Sequence, residues 1–311
     1  MHNNGWLYRR VFPRWQPRAE LRPTTRTSDG SALRLRWLGT AGHVIETART
    51  TLLIDPFLSR PSPLALLRPL RPDDAAIVAR LPPRVDAVLC GHSHFDHLLD
   101  APAIALATGA LFIGSRSSCA FARAAGLPES QLREIGPDGG VVTVGDAVIR
   151  YLPSLHGRVL FHRVPLPGEV TAPPSLPAPA WRYRMGGAYG ILVEAAGLRL
   201  YHNGSADLID AALAGARADV LLVGLAGRRA TPDYLARLCG ALTPTLIVPT
   251  HHDAFFAPLD GGVHLLPGID LDGFVSEARL HAPSARVVTP DYDEVLAIPA
   301  TAADAAFIDT R

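Results

Sequence analysis

The 311-residue sequence contains no lysine, so all 30 basic residues are arginine. Chemistry that needs a lysine amine is thereby excluded, both a Schiff base and the phosphate-binding lysine of a P-loop. Cysteine is scarce: Cys90, Cys119 and Cys239 are far apart and form no Cys-x-x-Cys pair. Such spacing suggests reduced, mostly buried thiols in a cytoplasmic protein. No apolar run approaches the length of a membrane span. The N-terminus has no apolar stretch of the kind a secretory signal needs. G-x-S-x-G, Walker and G-x-G-x-x-G motifs are all absent, so the common serine-hydrolase and nucleotide-binding signatures find no support. The net charge of +1 lacks the basic excess that nucleic-acid binding leaves.

What the chain does have is core material. Hydrophobic residues make up 48% and charged residues 19%, a globular balance. Its charge is uneven. Residues 1–36 carry eight arginines against Glu20 and Asp29, a local +6 that leaves −5 for the rest. Period-two alternation marks strands at 31–38, 43–47 and 50–54, and a short apolar strand at 85–89 runs straight into a histidine-rich segment. Helices are expected at 73–80, 98–108 and 115–125, and strand pairs at 141–144 with 147–152 and at 188–194 with 198–202. Helix and strand then alternate through 207–214, 220–223, 232–238, 245–248, 270–280 and 285–288, before a last strand at 294–298.

The domain reading is an arm over residues 1–30, an α/β domain over 31–300 and a tail over 301–311. A second irregular addition, 153–187, carries seven prolines within the domain. Structureless segments of that length inside compact domains are usually functional or disordered.

The chemistry concentrates in His92-Ser93-His94-Phe95-Asp96-His97. Four ligand-type side chains fall within six residues, directly after an apolar strand. In extended chain, residues two apart point the same way, so His92 and His94 can reach one metal together. Asp96 and His97 are neighbours, so the chain must turn for both to face inward. Imidazole and carboxylate donors suit Zn²⁺, and also Mn²⁺ or Fe.

Gly91 to Leu98 resembles the H-x-H-x-D-H signature of the metallo-β-lactamase superfamily. Leu38-Gly39-Thr40-Ala41-Gly42 with Leu53-Ile54-Asp55-Pro56 is similar to its opening hairpin. His156 after a strand, Tyr201-His202-Asn203-Gly204-Ser205 and Pro249-Thr250-His251 follow in the superfamily's order. The resemblance spans about residues 33–252 and points to the branch of ascorbate-lactonase-like enzymes and the N-acyl-phosphatidylethanolamine phospholipase D. It implies a four-layer αβ/βα sandwich with metals at one edge of the sheets. His92, His94 and His156 would hold a first ion, and Asp96, His97 and His251 a second. His252 is the alternative to His251, which is favoured by its place after Pro-x at a strand end.

One departure stands out. Most members with two metals carry a bridging aspartate in the fourth motif, where this chain has Ser205. Asp207 could compensate, or could open a following helix. One or two Zn²⁺ per chain are therefore expected.

The implied activity is hydrolysis by metal-activated water, with Asp96 orienting the water and receiving a proton. His202 and His252 are candidate acids by sequence proximity only. The substrate is expected to be a small or lipid-like anionic molecule with a phosphodiester, lactone or amide bond. The phosphodiester is slightly favoured because Arg158, Arg163, Arg182 and Arg184 lie in the insertion and could bind an anion from a lid. A wrapping loop or subunit contact explains the insertion equally well. The aromatic and arginine-rich arm could touch a membrane surface, although its prolines favour packing on its own domain. A homo-oligomer is the expected assembly. A non-catalytic metal scaffold and redox chemistry at iron are weaker alternatives.

Overall fold

The computed structural model describes residues 10–23, 31–159 and 162–300. Trp6 and Tyr8 of the arm, Phe161 of the insertion and the 301–311 tail lie outside the described residues.

In chain order the strands are β1 (Ser31–Gly39), β2 (Gly42–Glu46), β3 (Thr51–Ile54), β4 (Pro69–Leu70), β5 (Ala87–Leu89), β6 (Leu111–Ser115), β7 (Leu132–Ile135) and β8 (Gly140–Val144). They continue as β9 (Ala147–Pro153), β10 (Ala178–Pro179), β11 (Tyr189–Ala195), β12 (Leu198–Asn203), β13 (Val220–Gly224), β14 (Leu246–Thr250), β15 (Arg286–Val287) and β16 (Val295–Pro299). The helices are α1 (Asp74–Val78), α2 (Phe95–Leu98), α3 (Ala101–Thr108), α4 (Arg116–Ala124), α5 (Tyr234–Leu242) and α6 (Leu271–His281).

Two seven-stranded sheets form, ordered β16-β1-β2-β3-β5-β6-β7 and β15-β14-β13-β12-β11-β9-β8. Side-chain alternation explains why they stack. In β3, Leu52 and Ile54 point to the core between the sheets, while Leu53 points to the outer helices. In β13, Val220 and Leu222 face inward and Leu221 and Val223 face α5 and α6. Strands buried on both faces read as unbroken apolar runs, as these do. The layers are therefore helix, sheet, sheet, helix, the expected four-layer sandwich.

Several elements differ from the sequence reading. The helix expected from Leu98 starts at Phe95 and breaks before Ala101. Pro102 has no N–H for the Leu98 carbonyl, so one continuous helix loses a bond there. The helix expected over 207–214 is only a 3-10 turn, Asp210–Leu213. The Asp207 carbonyl is taken instead by Asn203 Nδ2 and Ser154 Oγ, both at 2.9 Å. Strand β7 was not expected, and the insertion contributes β10, which pairs with β4.

The described part of the arm packs on its own domain. The Trp15 amide donates to the Val263 carbonyl, the Leu265 amide donates to Pro13, and Leu21 is buried in the core beside α5 and α6. Among the described residues no helix is long and apolar enough to cross a membrane.

Candidate metal centre

Parallel strands bring the chemistry to one edge. In register, Ile54 lies beside Leu89 in one sheet, and Asn203 beside Val223 and Val223 beside Pro249 in the other. The loops that leave these carboxyl ends carry Asp55, the His92–His97 run, Ser205 and His251. His156 follows the end of β9. Carboxyl edges of parallel strands are where open α/β sheets bind ligands.

Helix α2 is the turn that the adjacent Asp96 and His97 required. His94 is its N-cap residue, in extended conformation, and the chain bends at once into helical geometry. Two groups of ligand-type atoms result: His92, His94 and His156, and Asp96, His97 and His251. Within each group the atoms lie within 4.8 Å of one another. His92 Nε2 and His94 Nδ1 are 3.0 Å apart, and His251 Nε2 lies 3.2 Å from Asp96 Oδ2. The His92 and His97 rings, 3.8 Å between centroids, join the two groups.

In three of the five histidines the second ring nitrogen is tied down, whereas His251 Nδ1 is buried with no hydrogen-bond partner. His94 Nε2 donates to the Pro165 carbonyl at 2.9 Å, and His156 Nδ1 to its neighbour Gly157 at 2.8 Å. His97 Nδ1 donates to Asp55 Oδ2 at 2.9 Å. Each bond fixes the tautomer and leaves the other nitrogen unprotonated and aimed into its group, the pattern that metal-ligating histidines show.

Burial sets the charge state. It pushes the His92 imidazole well below its ordinary pKa, helped by the surrounding histidines. Burial likewise lowers His94 to about 4 and His156 to about 3. The first group is therefore neutral and ready to donate lone pairs near neutral pH. In the second group, burial would raise the Asp96 carboxyl, but His97 and then His251 outweigh it and hold it below the usual range. Burial opposes protonation of His97, yet Asp55 and Asp96 raise its pKa. A divalent ion on its Nε2 would replace that proton.

The other expected residues sit elsewhere. Ser205 is buried with its hydroxyl donating to the Leu155 carbonyl at 2.9 Å. Asp207 belongs to neither group; its Oδ1 accepts the Leu208 amide. His252 stacks on Trp37 at 4.6 Å, with both ring nitrogens buried and no hydrogen-bond partner of normal geometry. His251, not His252, thus enters the second group. His202 Nε2 donates to the Ala41 carbonyl at 3.0 Å and also lies in neither group.

Arg158, Arg163, Arg182 and Arg184 are all exposed, and Arg184 Nη1 donates to the Pro167 carbonyl. The insertion itself is pinned against the centre. The Ser93 hydroxyl donates to the Arg184 carbonyl at 2.6 Å, and the Ser93 amide to that of Met185 at 2.9 Å.

Asp55, which in sequence is only part of the opening hairpin, ties two loops of the centre together. Oδ1 accepts the Gly91 amide at 2.7 Å while Oδ2 holds His97. An aspartate at a strand end opposite the histidine run was the available signal.

Residues 34–251 match the family model of the beta-lactamase superfamily domain. The chain belongs to this superfamily. A UPF0173 metal-dependent hydrolase from Anaeromyxobacter dehalogenans is 30% identical over 228 residues, covering 70% of this chain and 74% of that protein. The hydrolase is similar in fold to Igni18, a metallo hydrolase from Ignicoccus hospitalis, with TM-score 0.55, 18% identity and 85% and 97% of the two chains covered. An isothiocyanate hydrolase from Delia radicum gut bacteria gives 0.53 at 17% identity, covering 85% and 99%. The chain is a metal-dependent hydrolase of this superfamily, and the donor set fits the metal that such enzymes use.

Proposed function

We propose that the hydrolase holds two Zn²⁺ ions, one on His92, His94 and His156 and one on Asp96, His97 and His251, and cleaves an acyl bond in a lactone, ester or amide. The observation that carries this reading is the pair of adjacent three-residue groups, in which His94, His156 and His97 have their outer nitrogens anchored. Ions there supply Lewis acidity and a water acidic enough to ionise near neutral pH. Mn²⁺ or Fe suits the same donors.

The chain's own residues do the rest. Asp96 stays ionised, so its carboxylate would accept a hydrogen bond from the attacking water and orient it. The Phe255 ring packs edge-on to His251 at 5.5 Å and contacts Phe95 and Phe256, so the His251 side favours an apolar substituent. The phosphodiester option favoured by the arginines loses ground. All four are exposed, and the deeply buried Arg60 is already paired with Asp253.

Elemental analysis should find two ions per chain. Purified protein should turn over lactones or aryl esters faster than bis(p-nitrophenyl) phosphate, and His94→Ala should abolish it. Faster phosphodiester cleavage would reverse the substrate choice. No His94-dependent turnover on any of these would leave a non-catalytic metal scaffold as the better reading.

A further inference from the structure

We propose that Arg60 is a positioning residue for His251, acting through Asp253 and Thr40. The proposal rests on the reading above that Asp96, His97 and His251 hold an ion. Arg60 Nη2 donates to Asp253 Oδ2 at 2.6 Å, with the side chains 2% and 0% exposed. The Tyr292 hydroxyl donates to the same oxygen at 2.7 Å. The other oxygen, Oδ1, accepts the Thr40 amide at 2.8 Å. The Thr40 carbonyl then accepts three donors: the His251 amide at 2.7 Å, the Thr250 hydroxyl at 2.7 Å and Trp37 Nε1 at 3.0 Å.

These bonds form a closed circuit. Arg60 fixes Asp253, Asp253 fixes Thr40, Thr40 fixes His251, and residues 251–253 complete the ring covalently. Local backbone preference does not produce this arrangement. Thr40, Arg60 and His251 have φ of 50°, 42° and 52°, a left-handed region that side chains with a Cβ rarely adopt unless surrounding contacts impose it. Gly39 leaves the space that the Arg60 guanidinium fills. An ionised carboxylate buried with the loop needs its counter-charge, so removing the guanidinium releases the structure built on it.

The effect should be confined to one limb. His92, His94 and His156 are held by Pro165, Gly157 and the loop after β5, none of which bonds to Arg60, Asp253 or Thr40. With Ser205 donating to Leu155, the second group has three side chains and depends on each being in place.

The test uses Arg60→Lys, Arg60→Met and Tyr292→Phe in the full chain. In metal-free protein, exchange of the His251 amide should accelerate about tenfold in Arg60→Met and by less in Arg60→Lys, which keeps the charge but not the guanidinium fork, with protection in β13 unchanged. In Co²⁺ titrations followed by visible absorption, the equivalent lost in His251→Ala should weaken by about tenfold or more, and the other should not move. Tyr292→Phe should show the same selective pattern at smaller size, and it carries the test with Arg60→Lys if Arg60→Met does not fold. Unchanged His251 exchange, or both equivalents weakening together, overturns the proposal. A wild-type protein that binds one ion regardless of His251 sinks the two-ion reading instead, and the metal-free exchange result then decides the role of Arg60 alone.

Discussion

His97 Nδ1 donates to Asp55 Oδ2 at 2.9 Å, and both side chains are buried. One aspartate from the end of β3 thus sets the tautomer of a histidine on α2, while its other oxygen receives the Gly91 amide. Asp55→Asn keeps the size and removes the charge. The amide NH₂ group then faces an N–H that needs an acceptor, or the ring turns over. Metal affinity of the second group should fall about 10- to 100-fold, read by chelator competition. Retention of both ions at wild-type affinity would show that Asp55 only supports the fold.

Acid should destabilise the metal-free protein. The ordinary histidine value is 6.5, whereas burial holds His94 near 4 and His156 near 3 and lowers His92 well below it. Between those values the unfolded chain binds protons that the folded chain refuses. The stability of these groups is therefore present above about pH 6.5 and is lost as pH falls toward the folded values. At pH 5 each such histidine costs about 2 kcal/mol, less in sum because they interact. Urea denaturation of metal-free protein at pH 7.5 and pH 5 measures this, and equal midpoints would contradict it.

His252 and His251 should respond in opposite ways. His252 is stacked on Trp37 with no normal partner for either nitrogen, so His252→Phe should retain both ions and keep stability within about 1 kcal/mol of wild type. His251→Ala should lose one ion. Metal counts on the two variants check the assignment directly.

Ser205→Asp should not simply restore a bridging carboxylate. The serine hydroxyl donates to the Leu155 carbonyl, and a carboxylate there would set acceptor against acceptor in a buried position. The metal-free variant should lose about 1–3 kcal/mol. Excess Zn²⁺ should recover more of its melting temperature than of the wild type's if the new carboxylate reaches an ion. Equal Zn²⁺ shifts would place the side chain out of reach.

Much of this centre was legible in the sequence. Alternation in residues 31–54 and the unbroken apolar run 220–223 marked strands, because side chains along a strand take opposite sides and a strand covered on both faces is apolar throughout. An apolar strand entering His92-Ser93-His94-Phe95-Asp96-His97 determined where ligand-type side chains concentrate, since their spacing is local. What the sequence could not decide depends on contacts between distant residues. His251 enters the second group and His252 does not because the Thr40 carbonyl, about 210 positions away, sets the backbone of that loop. Asp207 fails to open a helix because Ser154 and Asn203 occupy its carbonyl. The insertion lies against the histidine run because Ser93 and His94 bond to its backbone, and exposed arginines in the sequence carry no sign of that. Composition and periodicity follow from each residue and its near neighbours. Tautomers, ion pairs and the choice between adjacent histidines follow only from which carbonyls and carboxylates the folded chain brings within 3 Å of them.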